Sequence, residues 1–286
     1  MGKIFTTLFL FLASFGAASA SELSPEAKVI IGDPEVFAVT NSMLMVWIAA
    51  IIIIIFARLA TAKMSIVPSG IQNFVEWAVE TLYNFFEGIL GEHLVKRVFW
   101  FYGATFLLIL ISNYLGLIPG VGTIGFGQNG HMTEPLLRGG NADLNMTAAM
   151  SLVFAILWFY WAFTENGVKG FLSHIFAPKG KFSGLMRVGM VVIFFLVGIL
   201  EIVSIFIRPV ALSFRLYGNI FGGEQTLEKL MMLVPYDWMR FLPALPFMFM
   251  ELLVGLVQAL VFTLLSAVFL KLICEHDDHG DEEHAH

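Results

Sequence analysis

Residues 188–234 are apolar with no strong break except Pro209. At 1.5 Å per residue they would make a helix about 70 Å long, against a hydrocarbon core of about 30 Å. No upright membrane helix can be that long, so the stretch predicts a strongly tilted helix, or one that bends near Pro209 and again at Gly222-Gly223. The same stretch carries Glu201, Arg208, Arg215, Asn219 and Glu224. A guanidinium near a bilayer centre costs between about 3 and 17 kcal/mol, which makes an intramembrane arginine a candidate functional residue. At about 100° per residue, Glu201, Ser204, Arg208, Ala211, Arg215, Asn219 and Gly222 fall on one helical face. Glu224 turns to roughly the opposite face, so Arg215 and Glu224 are expected to serve different compartments.

Composition agrees with a membrane setting. Hydrophobic residues make up 58% of the chain and charged residues 13%, the signature of a polytopic membrane protein and not of a water-soluble core. The net charge of −6 comes with no basic patch, which leaves no electrostatic footprint for nucleic acid. Cys274 is the single cysteine, so no internal disulfide is possible.

The fold class expected is all-α and polytopic, with about five transmembrane helices, one amphipathic interfacial helix, and the last two spans long and tilted. Residues 1–20 read as a secretory signal peptide: Lys3 precedes a short apolar stretch and Ala18-Ser19-Ala20 supplies small residues for cleavage. Residues 21–42 then form an external segment, 43–274 the membrane domain and 275–286 a polar cytoplasmic tail. The spans expected are 43–59, 99–117, 144–163, 188–234 and 244–273. Arg58, Lys63, Lys96 and Arg97, then Lys169, Lys179, Lys181 and Arg187, mark cytoplasmic loops, whereas Arg138 is the only basic residue in the Gly-rich external loop.

Between the first two spans, Ile71, Phe74, Val75, Ala78, Val79, Leu82, Phe86 and Ile89 line one helix face. Gln72, Asn73, Glu76, Glu80, Asn84 and Glu87 line the other. An acidic polar face suits a protein partner better than anionic lipid. In the last span Glu251, Gly255, Gln258 and Phe262 share a face, where Gly255 permits close approach of a neighbouring helix, expected to be the polar one. Asn113, near the end of its span, is more often helix-packing glue than a channel residue, and Asp143 is placed to cap the third span. The tail histidines, His276, His279, His284 and His286, read as part of a polar disordered segment and not as a metal site. No phosphate-binding loop or zinc-protease pair is present, so any ATP chemistry must lie elsewhere, and no cofactor is implied.

One arginine flanked by intramembrane carboxylates means an ion path, an anionic-substrate pocket or a structural salt bridge. A bridge would account for one carboxylate, whereas Glu201, Glu224 and Glu251 lie at different depths. By helical rise Glu201 is about 21 Å from Arg215 and Glu224 about 13 Å from it in the other direction, which suggests two half-paths divided by a fixed cation.

The run RPVALSFRLYGNIFGGE from Arg208 to Glu224 resembles subunit a of the F-type ATP synthase membrane sector. Glu251 with Gln258, NADLNMT from Asn141 and SNYLGLIP from Ser112 add to the likeness. The resemblance implies that Arg215 is the arginine facing the ion-binding carboxylate of a rotating c-ring. Asn219 and Gln258 would lie beside it, Glu224 and Glu251 would line the outer half-channel, and Glu201 and Ser204 the inner one; Asn113, Asp143 and Arg208 are secondary candidates. Implied partners are c-ring subunits, b subunits of the peripheral stalk, the soluble ATPase head and the lipid bilayer. The implied location is the bacterial inner membrane, with the mature N-terminus external and the C-terminus cytoplasmic. Two departures stand out. Many members carry a His at one outer position where both are Glu here, and some carry an acid at the position of Gly116. A secondary transporter should show inverted repeats, which are not evident, and an intramembrane enzyme lacks a convincing nucleophile and base.

Overall fold

The computed structural model describes residues 27–33, 37–118, 121, 125–128, 131–176, 185–234, 239 and 241–274. Six helices dominate it: α1 (Asn41–Thr61), α2 (Ile71–Leu90), α3 (Glu92–Gly116), α4 (Leu144–Phe176), α5 (Leu185–Met232) and α6 (Phe241–Cys274). All but α2 are long and apolar enough to cross a membrane. The expected all-α polytopic class therefore holds. Two antiparallel hairpins add to it: β1 (Val29–Asp33) with β2 (Phe37–Thr40), and β3 (Gly125–Gln128) with β4 (His131–Pro135). The proposed signal peptide (1–20), most of the external turn at 235–243 and the tail 275–286 lie outside the described residues.

Local chemistry explains the boundaries. Thr40 caps α1, its hydroxyl accepting from the Met43 N–H at 3.3 Å. Gly91, with φ of 81°, alone separates α2 from α3 and takes a left-handed conformation that side-chain-bearing residues avoid. The helix that carries the second span accordingly begins at Glu92, before the apolar stretch expected from 99. Asp143 accepts from the Asn145 N–H at 3.0 Å at the head of α4, in the capping role expected of it. Helix α4 continues past residue 163, where a loop was expected, and its axis breaks at Gly167, whose φ of 65° and ψ of 167° are not helical.

Helix α5 runs as one element with Pro209 inside it; neither Pro209 nor Gly222-Gly223 interrupts it. Its length exceeds the bilayer core about twofold, leaving tilt as the way to fit.

Helices α3, α4, α5 and α6 pack around a shared core. Val95, Val98, Tyr102 and Ile109 of α3 are fully enclosed, as are Ala259, Ala267 and Leu270 of α6. Polar tips inside this core find backbone acceptors. The Tyr102 hydroxyl donates to the Ser266 carbonyl at 3.1 Å and the Trp158 indole N–H to the Phe269 carbonyl at 3.0 Å.

Helix α2 differs in detail from its expected two-faced form. Phe86 and Leu90 pack inward, the carboxylates Glu76 and Glu80 face out, and the apolar Phe74 and Trp77 remain exposed. Gln72, expected on the polar face, is buried, because its amide donates to the Ser65 carbonyl at 3.0 Å and to Glu76 at 2.7 Å.

Candidate functional site

Glu224 on α5 and Glu251 on α6 meet at a small cavity also lined by Ser112, Asn113, Gly116, Gly139 and Gly255. Glycines make the space. A Cβ on Gly139 would collide with the Glu224 carboxylate, and one on Gly223 would collide with that of Glu251. Gly116 backs the same spot, its imagined Cβ lying 3.7 Å from Glu224 Oε1. Three enclosed polar atoms here, Ser112 Oγ, Glu224 Oε2 and Glu251 Oε1, have no hydrogen-bond partner among the described residues. Buried polar atoms without a partner are costly, which sets this spot apart from the satisfied polar groups of the helix core. Among the described residues no three His, Cys, Asp or Glu side chains group as metal ligands.

A chain of buried amides fixes the walls. Asn113 donates from Nδ2 to the Gly255 carbonyl at 3.0 Å and accepts at Oδ1 from Asn141 at 2.7 Å, while Asn141 also donates to the Ile109 carbonyl at 3.2 Å. The neighbour that Gly255 admits is thus α3, through Asn113 and Tyr114, and not the polar helix α5. The close glycine approach to α5 is made by Gly223, which packs on Glu251.

Arg215 occupies a different setting. Ser213 and Leu216 are buried, with the Ser213 and Thr147 hydroxyls 3.2 Å apart across α5 and α4. This contact turns Arg215, together with Ala211, Gly218, Asn219 and Gly222, to the exposed side of α5. Arg215 makes no hydrogen bond or ion pair with another described residue, and exposed Val210 and Phe214 flank it. Gln258 is buried on α6, on the same face as Glu251 and Gly255. Farther along α5, Arg208 bonds Glu201 at 2.8 Å and stacks over the Phe269 ring at 4.8 Å, with Ser204 half-buried between them. On the rod of α5, therefore, an ion pair, an uncovered arginine and an enclosed carboxylate follow one another.

A family model described as ATP synthase A chain matches residues 43–271. The chain belongs to the ATP synthase subunit a family. It is 31% identical over 240 residues to ATP synthase subunit a of Gloeobacter violaceus, covering 84% of this chain and 86% of that one. It is likewise 31% identical over 248 residues to the subunit a of Solidesulfovibrio magneticus, covering 87% of each. A third relative, subunit a of Aliarcobacter butzleri, is 30% identical over 230 residues, 80% of this chain and 87% of its own. As a subunit a, the chain is a transmembrane component of the machinery of ATP synthesis and ion transport, and works in a complex with other subunits.

Within this subunit a, the sequence singles out Glu224, Glu251, Asn113 and Gly255 but not the other residues that close the site around them. Arg138 was read only as a marker of the external loop, yet it is buried against Phe221. Asn141 entered only as the first residue of a motif, although it anchors the amide chain. Ser112 and Gly139 gave no periodic signal, because they act by where their atoms stop and not by the face they lie on.

Proposed function

We propose that this subunit conducts protons through two half-paths that meet at a ring of c subunits, with Arg215 keeping them apart. Protons enter from outside through Glu224 and Glu251, pass to a c-subunit carboxylate, and leave to the cytoplasm past Ser204 and Glu201. Asn219 and Gln258 lie beside the crossing, Arg208 holds Glu201, and Asn113 and Asp143 hold the outer walls. The observation that carries this reading is the placement of Arg215, uncovered on the surface of a transmembrane helix between two carboxylate sites that lie to either side of it along that helix. A charge so placed is stable only if a partner bearing an opposite charge covers it. The b subunits and the soluble head, where ATP is made, complete the assembly. The assembly sits in a bacterial inner membrane, with the mature N-terminus outside and the tail in the cytoplasm.

The mechanism follows from a guanidinium that effectively never loses its proton. A rotor carboxylate approaching Arg215 is held ionised and must give its proton to the inner path; past Arg215 it regains one from the outer path. Without the cation a protonated carboxylate could oscillate beneath both paths and conduct without turning. Each charge crossing is worth about 2.3 kcal/mol per 100 mV, so such a leak dissipates the gradient.

The test is a paired measurement of ATP synthesis and passive proton flux in reconstituted vesicles. Arg215→Ala should abolish synthesis while passive flux through vesicles stripped of the soluble head persists or rises, and Arg215→Lys should be severely impaired. Near wild-type synthesis by Arg215→Ala would refute the mechanism.

A further inference from the structure

We propose that Arg138 is the fixed counter-charge of the outer carboxylates, a second permanent cation that proton entry requires besides Arg215. This rests on the half-path reading above. Arg138 is 5% exposed, in the segment between β4 and α4. Its Nη2 donates to the Ala142 carbonyl at 3.2 Å, and its Cζ lies 5.7 Å from the centre of the Phe221 ring on α5. Its neighbour in sequence, Gly139, is the residue against which the Glu224 carboxylate packs. Among the described residues, the charged groups near enough to act electrostatically on Glu224 are Arg138 from this segment, Glu251 from α6 and Glu228 from one turn further along α5. Glu228 and Glu251 are both buried. Asp143, also buried, follows at the head of α4 with its carboxylate on the Asn145 N–H.

Passing a proton between two carboxylates requires one of them to be ionised at each step, and an ionised carboxylate in a closed apolar site is stable only beside a cation. A guanidinium offers charge there and takes no part in the exchange. Arg138 is thus a positioning residue for charge: it balances whichever outer carboxylate is ionised without becoming a link in the path.

The competing role is a clamp that ties residues 138–142 to α5 through Phe221. Two substitutions separate these roles. Lys keeps the charge and loses the planar fork; Gln keeps a planar hydrogen-bonding end and loses the charge. Proton-driven ATP synthesis is measured in vesicles of the whole ATP synthase carrying R138K, R138Q, E224Q or R138Q with E224Q, with c subunit co-purification as the measure of assembly. The proposal expects R138Q to lose about tenfold or more, R138K to recover most of that, and the double variant to be no worse than the poorer single one, because the two residues act as a unit. If R138Q fails to assemble, adding E224Q should restore assembly. R138Q at the wild-type rate, R138K no better than R138Q, a double variant whose losses multiply, or assembly that stays lost in the double variant would each overturn it. E224Q at the wild-type rate would sink the half-path reading and this inference together, whereas impaired E224Q beside unimpaired R138Q sinks this inference alone.

Discussion

The Glu251 carboxylate fills the space in which a side chain on Gly223 would begin. Helix α5 therefore touches α6 at this level through one backbone and one acid, and each fixes the position of the other. Gly223→Ala should push the carboxylate aside. Overpacking of this kind costs about 1–3 kcal/mol, and a displacement of about 1 Å at a reacting group can cost up to about 100-fold in rate. The expected outcome is an assembled complex with strongly reduced proton-driven synthesis. Synthesis rates normalised to co-purified c subunits check it, and a wild-type rate would show that Glu251 is not held by this contact.

Replacing Glu224 and Glu251 together with Gln keeps shape and removes proton exchange. Synthesis driven by an imposed proton gradient should fall severely while the c-ring still co-purifies. Because the two acids line one cavity, each single replacement should account for most of the loss and the two should not add. Wild-type synthesis in the double variant would remove both from the path.

Asn113→Ala removes the donor to the Gly255 carbonyl and leaves the Asn141 amide with the Ile109 carbonyl alone. A loss of about 1–3 kcal/mol is expected from unsatisfied groups of this kind. The purified complex should lose subunit a at a lower temperature, with synthesis reduced in proportion to the subunit retained. Full thermal resistance would mean that the amide chain carries no stability.

The Glu201 to Arg208 pair is part-exposed, so solvent screening limits its worth, and the Arg208 contact with the Phe269 ring adds to it. Arg208→Ala should cost about 0.5–2 kcal/mol, a small shift in thermal release of the subunit. Glu201→Gln should act mainly on the rate of proton exit, read as slower passive flux in stripped vesicles. A Glu201→Gln subunit with unchanged flux would leave Glu201 with a structural role only.

Much of this molecule is legible before any coordinates. Bilayer thickness and the rise of a helix select the spans, and the cost of a buried guanidinium singles out Arg215. Helical phase alone sends Arg215 and Glu224 to different sides of α5, and the structure places them so. What the sequence conceals is contact between elements far apart in the chain. The expectation that Gly255 receives α5 fails because a small residue advertises a gap without saying which helix fills it; Asn113 of α3 does. Gln72 looks like a polar-face residue until a bond to the Ser65 carbonyl, in the loop before α2, draws it inward. Arg138 is hidden for a related reason: topology explains its charge so well that its burial goes unasked.

Pro209 lacks the N–H that would bond the Ile205 carbonyl one turn earlier, so α5 has one missing rung. The gap lies about 9 Å from Arg215, on the side of Glu201. Beside it is a small cavity walled by Ile205, Arg208, Phe269 and Trp158, where the helix has room to give. A sideways load on α5 would therefore be taken up as bending at this point, while the continuous ladder from Arg215 to Glu224 stays straight. Compliance along α5 is thus greatest on the Glu201 side of Arg215, and no proline removes a rung between Arg215 and Glu224.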